Sequence, residues 1–207
     1  MYYDTKDHIS EDFLKADEIK TGETSTEVIE PIRKRWSIRA FSDEMIANDT
    51  LETLFEAASW SPSSMNEQPW RYICAKKGSE EFDMLASTLA PSNKMWAEQA
   101  PVLVLSIAEK NFAANGRENH YALYDTGAAN YGLLLQAQSM NIYGHIMGGF
   151  DRSAAARLLG LSDQQVPVVV IALGYPGSPD ELPEQLKIRE YTPRKRKPVS
   201  EIVKITG

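Results

Sequence analysis

Four short segments carry residues whose types and spacing suit an anion or a flat ring. In RKRWSIRAF, Arg33, Lys34, Arg35 and Arg39 set four cations within seven positions, with Ser37 among them. A phosphate is well met by such a set, because guanidinium forks make bidentate contacts and a hydroxyl fills a remaining oxygen. The same cluster also reads as a solvated helix end, where cations suit the negative pole of the helix dipole. In SPSSMNEQPW, small hydroxyls, the amide of Asn66 and two prolines could meet a polyhydroxyl chain or the edge of a heterocycle. An ordinary capped turn has the same composition. In HIMGGFD, Gly148 and Gly149 leave backbone N–H groups uncovered, so a flat ring can approach the main chain; a turn ahead of Asp151 is the competing reading. PRKRKP sets Arg194 and Arg196 two apart. In an extended segment they share a side and could hold a phosphate; otherwise they belong to a solvated basic tail.

Other chemistries lack their residues. His8, His120 and His145 have no metal-ligand spacing, and no second cysteine supplements them. The dinucleotide fingerprint GxGxxG, the phosphate loop GxxxxGK and the nucleophile elbow GxSxG are absent. The four tryptophans are scattered, which suits core or interface positions better than a stacking platform for single strands.

The elements that must position these segments follow from pattern. Residues 1–25 are polar and acidic, with Ile9, Phe13, Leu14 and Ile19 at helical spacing, and read as an arm with one short helix that docks on the body or on a partner. Residues 27–35 read as a helix with Val28, Ile32 and Ile29 inward. Asn48 or Asp49 is placed to cap a helix carrying Leu51, Leu54, Phe55, Ala57 and Ala58. Strands are expected at 70–75, after Pro101 and at VPVVVIALG, and a helix at 80–89. Residues 118–140 form the longest helical candidate. Its centre is apolar or small nearly all round, so it belongs in the interior or between subunits. Ala128 and Gly132 share a face there and allow another backbone to approach. Asp151 can cap RSAAARLL and Gly160 can end it. SEIVKI alternates enough to add an edge strand. With helices first and strands interleaved later, the expected class is α+β, a mostly antiparallel central sheet flanked by helices.

At 207 residues the chain fits an arm (1–25) followed by one domain (26–207). Apolar content of 43% and charged content of 25% are ordinary for a globular protein, and a formal charge of −7 disfavours nucleic acid and anionic membrane as partners. No apolar run reaches the roughly 20 residues of a membrane helix, the start MYYDTKDHISEDF lacks a secretory pattern, and the single cysteine, Cys74, falls in a strand as a small core residue. A cytoplasmic protein is expected.

Taken in order, RWSIRAF, ASWSPSSMNEQPWRYI, YDTGAANYGLLLQA, MGGFD and PRKRKPVSEIV resemble the nitroreductase family from about Glu27 onward. The resemblance implies an intertwined homodimer with FMN at two shared sites and NAD(P)H as co-substrate. It implies that Arg35, Ser37 and Arg196 bind the FMN phosphate, with Trp36 in the same segment and Arg194 beside them, and that Arg39 lies near the pyrimidine side of the ring. Pro62, Ser63, Ser64 and Asn66 would reach the flavin from the other subunit. Gly148 and Gly149 would offer backbone N–H groups near N5 and O4. Some members carry an acidic residue at the position of Gly148, and an Asn and a Lys whose counterparts here lie near Ser92, Asn93 and Lys94.

The implied reaction is ping-pong. A hydride passes from NAD(P)H through flavin N5 to a nitroaromatic, quinone or similar small-molecule acceptor, with Arg39 stabilising the reduced flavin and no side-chain base required. The rival readings are a dehydrogenase or dehalogenase-like flavoenzyme whose substrate meets residues 112–124, and a non-catalytic flavin-binding or nucleic-acid-binding regulator using RKRK.

Overall fold

The computed structural model describes residues 9–206; residues 1–8, the outer part of the expected arm with His8, and residue 207 lie outside the described residues. The sheet consists of β1 (Trp70–Lys76), β2 (Val102–Glu109), β3 (Tyr143–Met147) and β4 (Gln165–Gly174), in the order β1-β2-β4-β3 with every pair antiparallel. The fold is α+β. The three expected strands are β1, β2 and β4. The fourth, β3, has only five residues, two of them Gly144 and His145, and carries no strand pattern in the sequence.

The central strands β2 and β4 are covered on both faces. Successive side chains alternate, so Leu103, Leu105 and Ile107 join Val170 and Ala172 in one layer, while Val102 and Val104 join Ile171 and Leu173 in the other. The first layer is roofed by α4 (Glu80–Ser87), α5 (Pro91–Ala97) and α7 (Arg152–Leu158), the second by α3 (Asn48–Ser59) and α6 (Ala122–Ser139). Pro167 has no N–H for the ladder, and the β2·β4 register shifts beside it, between Ser106 and Ile107. Asp151 caps α7 by accepting from the Ala154 N–H at 2.9 Å, and Gly160 follows with φ of 65°. The expected cap of α3 fails: Ala47 holds that position, and the Asp49 carboxylate turns to the neighbouring Thr50 N–H.

Helix α6 is the buried helix expected, with Thr126, Ala129, Leu133 and Ala137 all at 0% exposure. Gly132 does admit a close neighbour, but the neighbour is α3 of the same chain. A Cβ there would lie 3.1 Å from the Ser61 Oγ and 3.4 Å from the Ala57 carbonyl oxygen. The solvent side of α6 carries Leu123, Tyr124 and Tyr131, all exposed.

Three more expectations are corrected. The helix at 27–35 shrinks to α2 (Glu30–Lys34), and Ile29 and Ile32 are exposed. Cys74 is exposed on the edge strand β1, although it shares the face of Trp70 and Tyr72. SEIVKI adds no strand; Pro198 fixes the backbone for a short helix, α9 (Val199–Ile202), and Val203 and Ile205 stay exposed.

The described part of the arm is firmly placed. Ser10 caps α1 (Glu11–Lys20), and Phe13 and Ala16 bury against Trp36, Ile38 and Tyr143. Asp17 accepts from the Trp36 Nε1–H at 2.8 Å and the Tyr143 hydroxyl at 2.9 Å. Leu14 and Ile19, on the other side of the helix, are exposed.

Candidate active site

After α2 the chain runs extended through RWSIRA, and its two-residue alternation sorts the side chains. Trp36, Ile38 and Ala40 bury at 2%, 0% and 5% exposure, which leaves Arg35, Ser37 and Arg39 on the opposite side. These three line a cleft of about 330 Å³. Arg194 and Arg196 reach it from the C-terminal segment, so the two basic clusters of the sequence meet in space. Lys20 at the end of α1 and Arg189 on α8 (Glu184–Tyr191) also line it. Trp36 contributes ring surface only, because its N–H is bonded to Asp17.

Each cation is held differently. The Arg194 guanidinium donates to the Arg35 carbonyl at 2.6 Å and also to the Arg33 carbonyl. It therefore fixes the backbone that aims Arg35, and its own Nε is buried without a partner. The Arg35 Nε is likewise buried and unpartnered. Burial lowers the Arg35 pKa, the Tyr131 hydroxyl opposes that, and repulsion from Arg196 adds to it. Arg39 is clamped to Glu190, whose carboxylate is fully buried: its backbone N–H reaches one oxygen at 3.0 Å and its guanidinium the other at 2.9 Å. Burial pushes the Glu190 carboxyl up, and the Arg39 bonds pull it back. Arg196 remains exposed. The cleft holds more positive charge than its one buried carboxylate balances, an arrangement suited to an anion.

The SPSS-N segment is off this cleft. Ser64–Asn66 form one tight turn, and Met65, Asn66 and Gln68 have φ of 54°, 55° and 52°, three left-handed positions without a glycine, with right-handed Glu67 among them. Buried Asp125 holds the turn by accepting from the Ser64 N–H at 2.9 Å, and Ser63 Oγ accepts from the Gln68 N–H at 3.0 Å. Pro62 and Asn66 are exposed, and Ser63 and Ser64 are half-buried. This stiff loop presents its polar edge outward.

Gly148 and Gly149 follow β3 and are both exposed. The Gly149 carbonyl accepts from the Ala90 N–H and from the Asn93 side-chain amide, each at 3.0 Å, so Asn93 steadies the glycine pair. Lys94 pairs with Glu98 at 3.5 Å, and Ser92 is exposed. On β3, the His145 ring lies 4.4 Å from Trp96, and its Nδ1–H donates to the Ile38 carbonyl at 2.8 Å. Burial drops its pKa to about 4, with the Ile38 bond opposing and Arg39 and Arg35 adding to the fall.

Lys20, Arg189 and Glu190 escaped the sequence reading. They sit in polar helices whose only signal is an inward spacing such as Leu186 with Glu190, and their partners are more than a hundred residues away in the chain.

Among the described residues no group of His, Cys, Asp and Glu is placed to hold a metal, and no helix is long and apolar enough to cross a membrane. A solved oxidoreductase containing FMN matches at a TM-score of 0.83 and 30% identity, covering 89% of this chain and 96% of its own. The FMN reductase [NAD(P)H] of Bacillus subtilis is 31% identical over 166 residues, 80% of this chain and 61% of the reductase. The mouse iodotyrosine deiodinase 1 is 26% identical over 187 residues, 77% of this chain and 66% of its own. The model of the nitroreductase family matches residues 32–175, more than half of the chain, and the protein belongs to that family.

Proposed function

We propose that the protein is an FMN-dependent oxidoreductase that takes a hydride from NAD(P)H and delivers it to a small-molecule acceptor such as a nitroaromatic or a quinone. The observation that carries this reading is the cleft in which Arg35, Ser37, Arg39 and Arg196 converge, with the Arg35 Nε buried and unpartnered. An orphaned buried guanidinium N–H asks for an acceptor, and a phosphate supplies it. The missing dinucleotide fingerprint favours the mononucleotide FMN over FAD.

When bound, FMN supplies the hydride chemistry at N5. The protein's part is placement and charge. Arg35, Ser37 and Arg196 hold the phosphate, and Arg194 holds Arg35. Arg39, oriented by Glu190, offers a fixed positive charge where negative charge develops on reduction. Gly148 and Gly149, kept in place by Asn93, offer uncovered backbone to the ring. NAD(P)H and the acceptor occupy the same space in turn, which gives a ping-pong order.

The working unit is a homodimer with FMN at shared sites. The loop at Pro62, Ser63, Ser64 and Asn66 is stiff, faces outward and does not line its own chain's cleft. Ile29, Trp60, Met65, Leu123 and Tyr124 are between 56% and 87% exposed, an apolar surface that a second copy would bury.

Heat-released cofactor identified by chromatography, with steady-state oxidation of NADH and NADPH against a quinone and a nitroarene, tests the activity. FMN and acceptor-dependent turnover are expected; recovered FAD, or no flavin after reconstitution, sinks the reading. For shared sites, Arg35→Ala and Asn66→Ala chains carrying different tags are combined in a mixed dimer. One intact site, about half occupancy, is expected from the concentration of both lesions in the other. Two equally weakened sites would mean that each is built within one chain.

A further inference from the structure

The cleft has a cation that neither the basic segments nor the family's matched span contains. Lys20 ends α1, ahead of residues 32–175. It is only 8% exposed, yet it lines the cleft. Its ammonium donates to the Arg189 carbonyl at 2.6 Å and lies 5.2 Å from the centre of the Trp36 ring. One of its three N–H groups is thereby satisfied.

The charge around Lys20 does not balance. Glu190 attracts it, but both Glu190 oxygens are already bonded by Arg39. Arg39 and Arg194 repel it. A buried ammonium beside two guanidiniums is costly without a further anion. The helix has other anchors in Phe13, Ala16 and the two bonds to Asp17, and a single bond to a neutral carbonyl does not offset the burial of the Lys20 charge. The end of α1 is also stitched to the α2 segment, through the Gly22 N–H to the Arg33 carbonyl at 2.9 Å, beside the clamp that Arg194 makes there.

We propose that Lys20 is a direct ligand of the cofactor phosphate, so that α1 completes the anion site and phosphate binding and helix docking reinforce each other. This rests on the FMN reading above. An anion held by Lys20, Arg35 and Arg196 stabilises α1 against the body, and by reciprocity a docked α1 raises phosphate affinity.

The test compares FMN with riboflavin, which lacks the phosphate, by titration into full-length apoprotein. Three forms are used: wild type, Lys20→Met and Lys20→Gln. The Gln variant removes the charge but keeps a donor for the Arg189 carbonyl, so it guards against a Met variant that folds poorly. The expected result is a roughly tenfold loss of FMN affinity in both variants with riboflavin affinity unchanged. Hydrogen exchange of wild-type α1 should also slow when FMN is added and not when riboflavin is added. An FMN-to-riboflavin preference that stays at the wild-type value in the variants overturns the proposal, even if their melting temperature falls. A wild type that does not prefer FMN over riboflavin overturns the cofactor reading first, and this one with it.

Discussion

The two polar regions of the candidate site are built on opposite principles. The basic cleft is closed from within: Lys20, Arg39 and Arg194 each make a long-range bond to another part of the chain. The loop around Asn66 is closed upon itself, held by Asp125 and by its own Ser63, and turns its polar edge away from the body. The cleft is thus ready for a small anion in a single chain, whereas the loop is ready for something larger that arrives from outside. The difference is what the proposed shared site requires: the end bearing the phosphate would belong to one chain, and the loop would reach the ring and ribityl side from the other.

The sharpest way to break this contrast is Glu190→Ala. It leaves Arg39 without the carboxylate that holds it, and unfolding in urea should show a loss on the order of 3–5 kcal/mol. A loss near that of a surface substitution would mean that the cleft is not internally braced.

Acid tests the same bracing. The His145 pKa falls from 6.5 to about 4 on folding, so the unfolded chain binds the proton first. Stability is complete above pH 6.5 and declines as the pH falls toward 4, by on the order of 2–3 kcal/mol. In His145→Phe that part of the slope should vanish while the carboxylate-driven slope at lower pH remains. An identical profile in the two proteins would show that the imidazole is not desolvated.

On the binding side, Arg35→Ala and Arg196→Ala should each weaken FMN roughly tenfold or more, with a charge-assisted bond worth ~1.5–3 kcal/mol. Lys15→Ala, in a surface ion pair with Asp12, serves as the control and should change nothing. If both arginine variants bind like the control, the residues are solvated charges.

The smallest effect belongs to the loop. Met65 is 87% exposed in a left-handed conformation, so Met65→Gly should raise stability by about 0.5 kcal/mol while loosening the turn. A loss of stability would mean that the Met65 side chain is held by contacts, and dependence of that loss on protein concentration would assign them to the second copy of the proposed dimer rather than to the chain itself.

The regular core was legible because it repeats. The alternation in β2 and β4 and the burial of α6 state their own environment, and Asp151 announces its helix. In β3 the same code is too short and too rich in small or polar residues to be read. The small face at Gly132 was read correctly as a close contact, with the interior and a subunit boundary both left open, because a sequence shows that a backbone approaches and not whose it is. Arg35 and Arg39 announced themselves as part of a dense run. Lys20 and Glu190 did not, since a single charge in a polar helix looks solvated until the fold brings its partner to it.

The clamp made by Arg194 has a bearing on biosynthesis. The last sheet strand ends at Gly174, so all four strands can be laid down before the clamp exists. Arg194 then reaches back 159 positions to Arg35, and Lys20 waits for the carbonyl of Arg189, 169 positions on. A nascent chain emerging amino end first must therefore leave the segment around Arg35 unpinned until Arg194 has been made. Capture of a phosphate in this cleft would come after the sheet has formed, and would report that segments on either side of it have met.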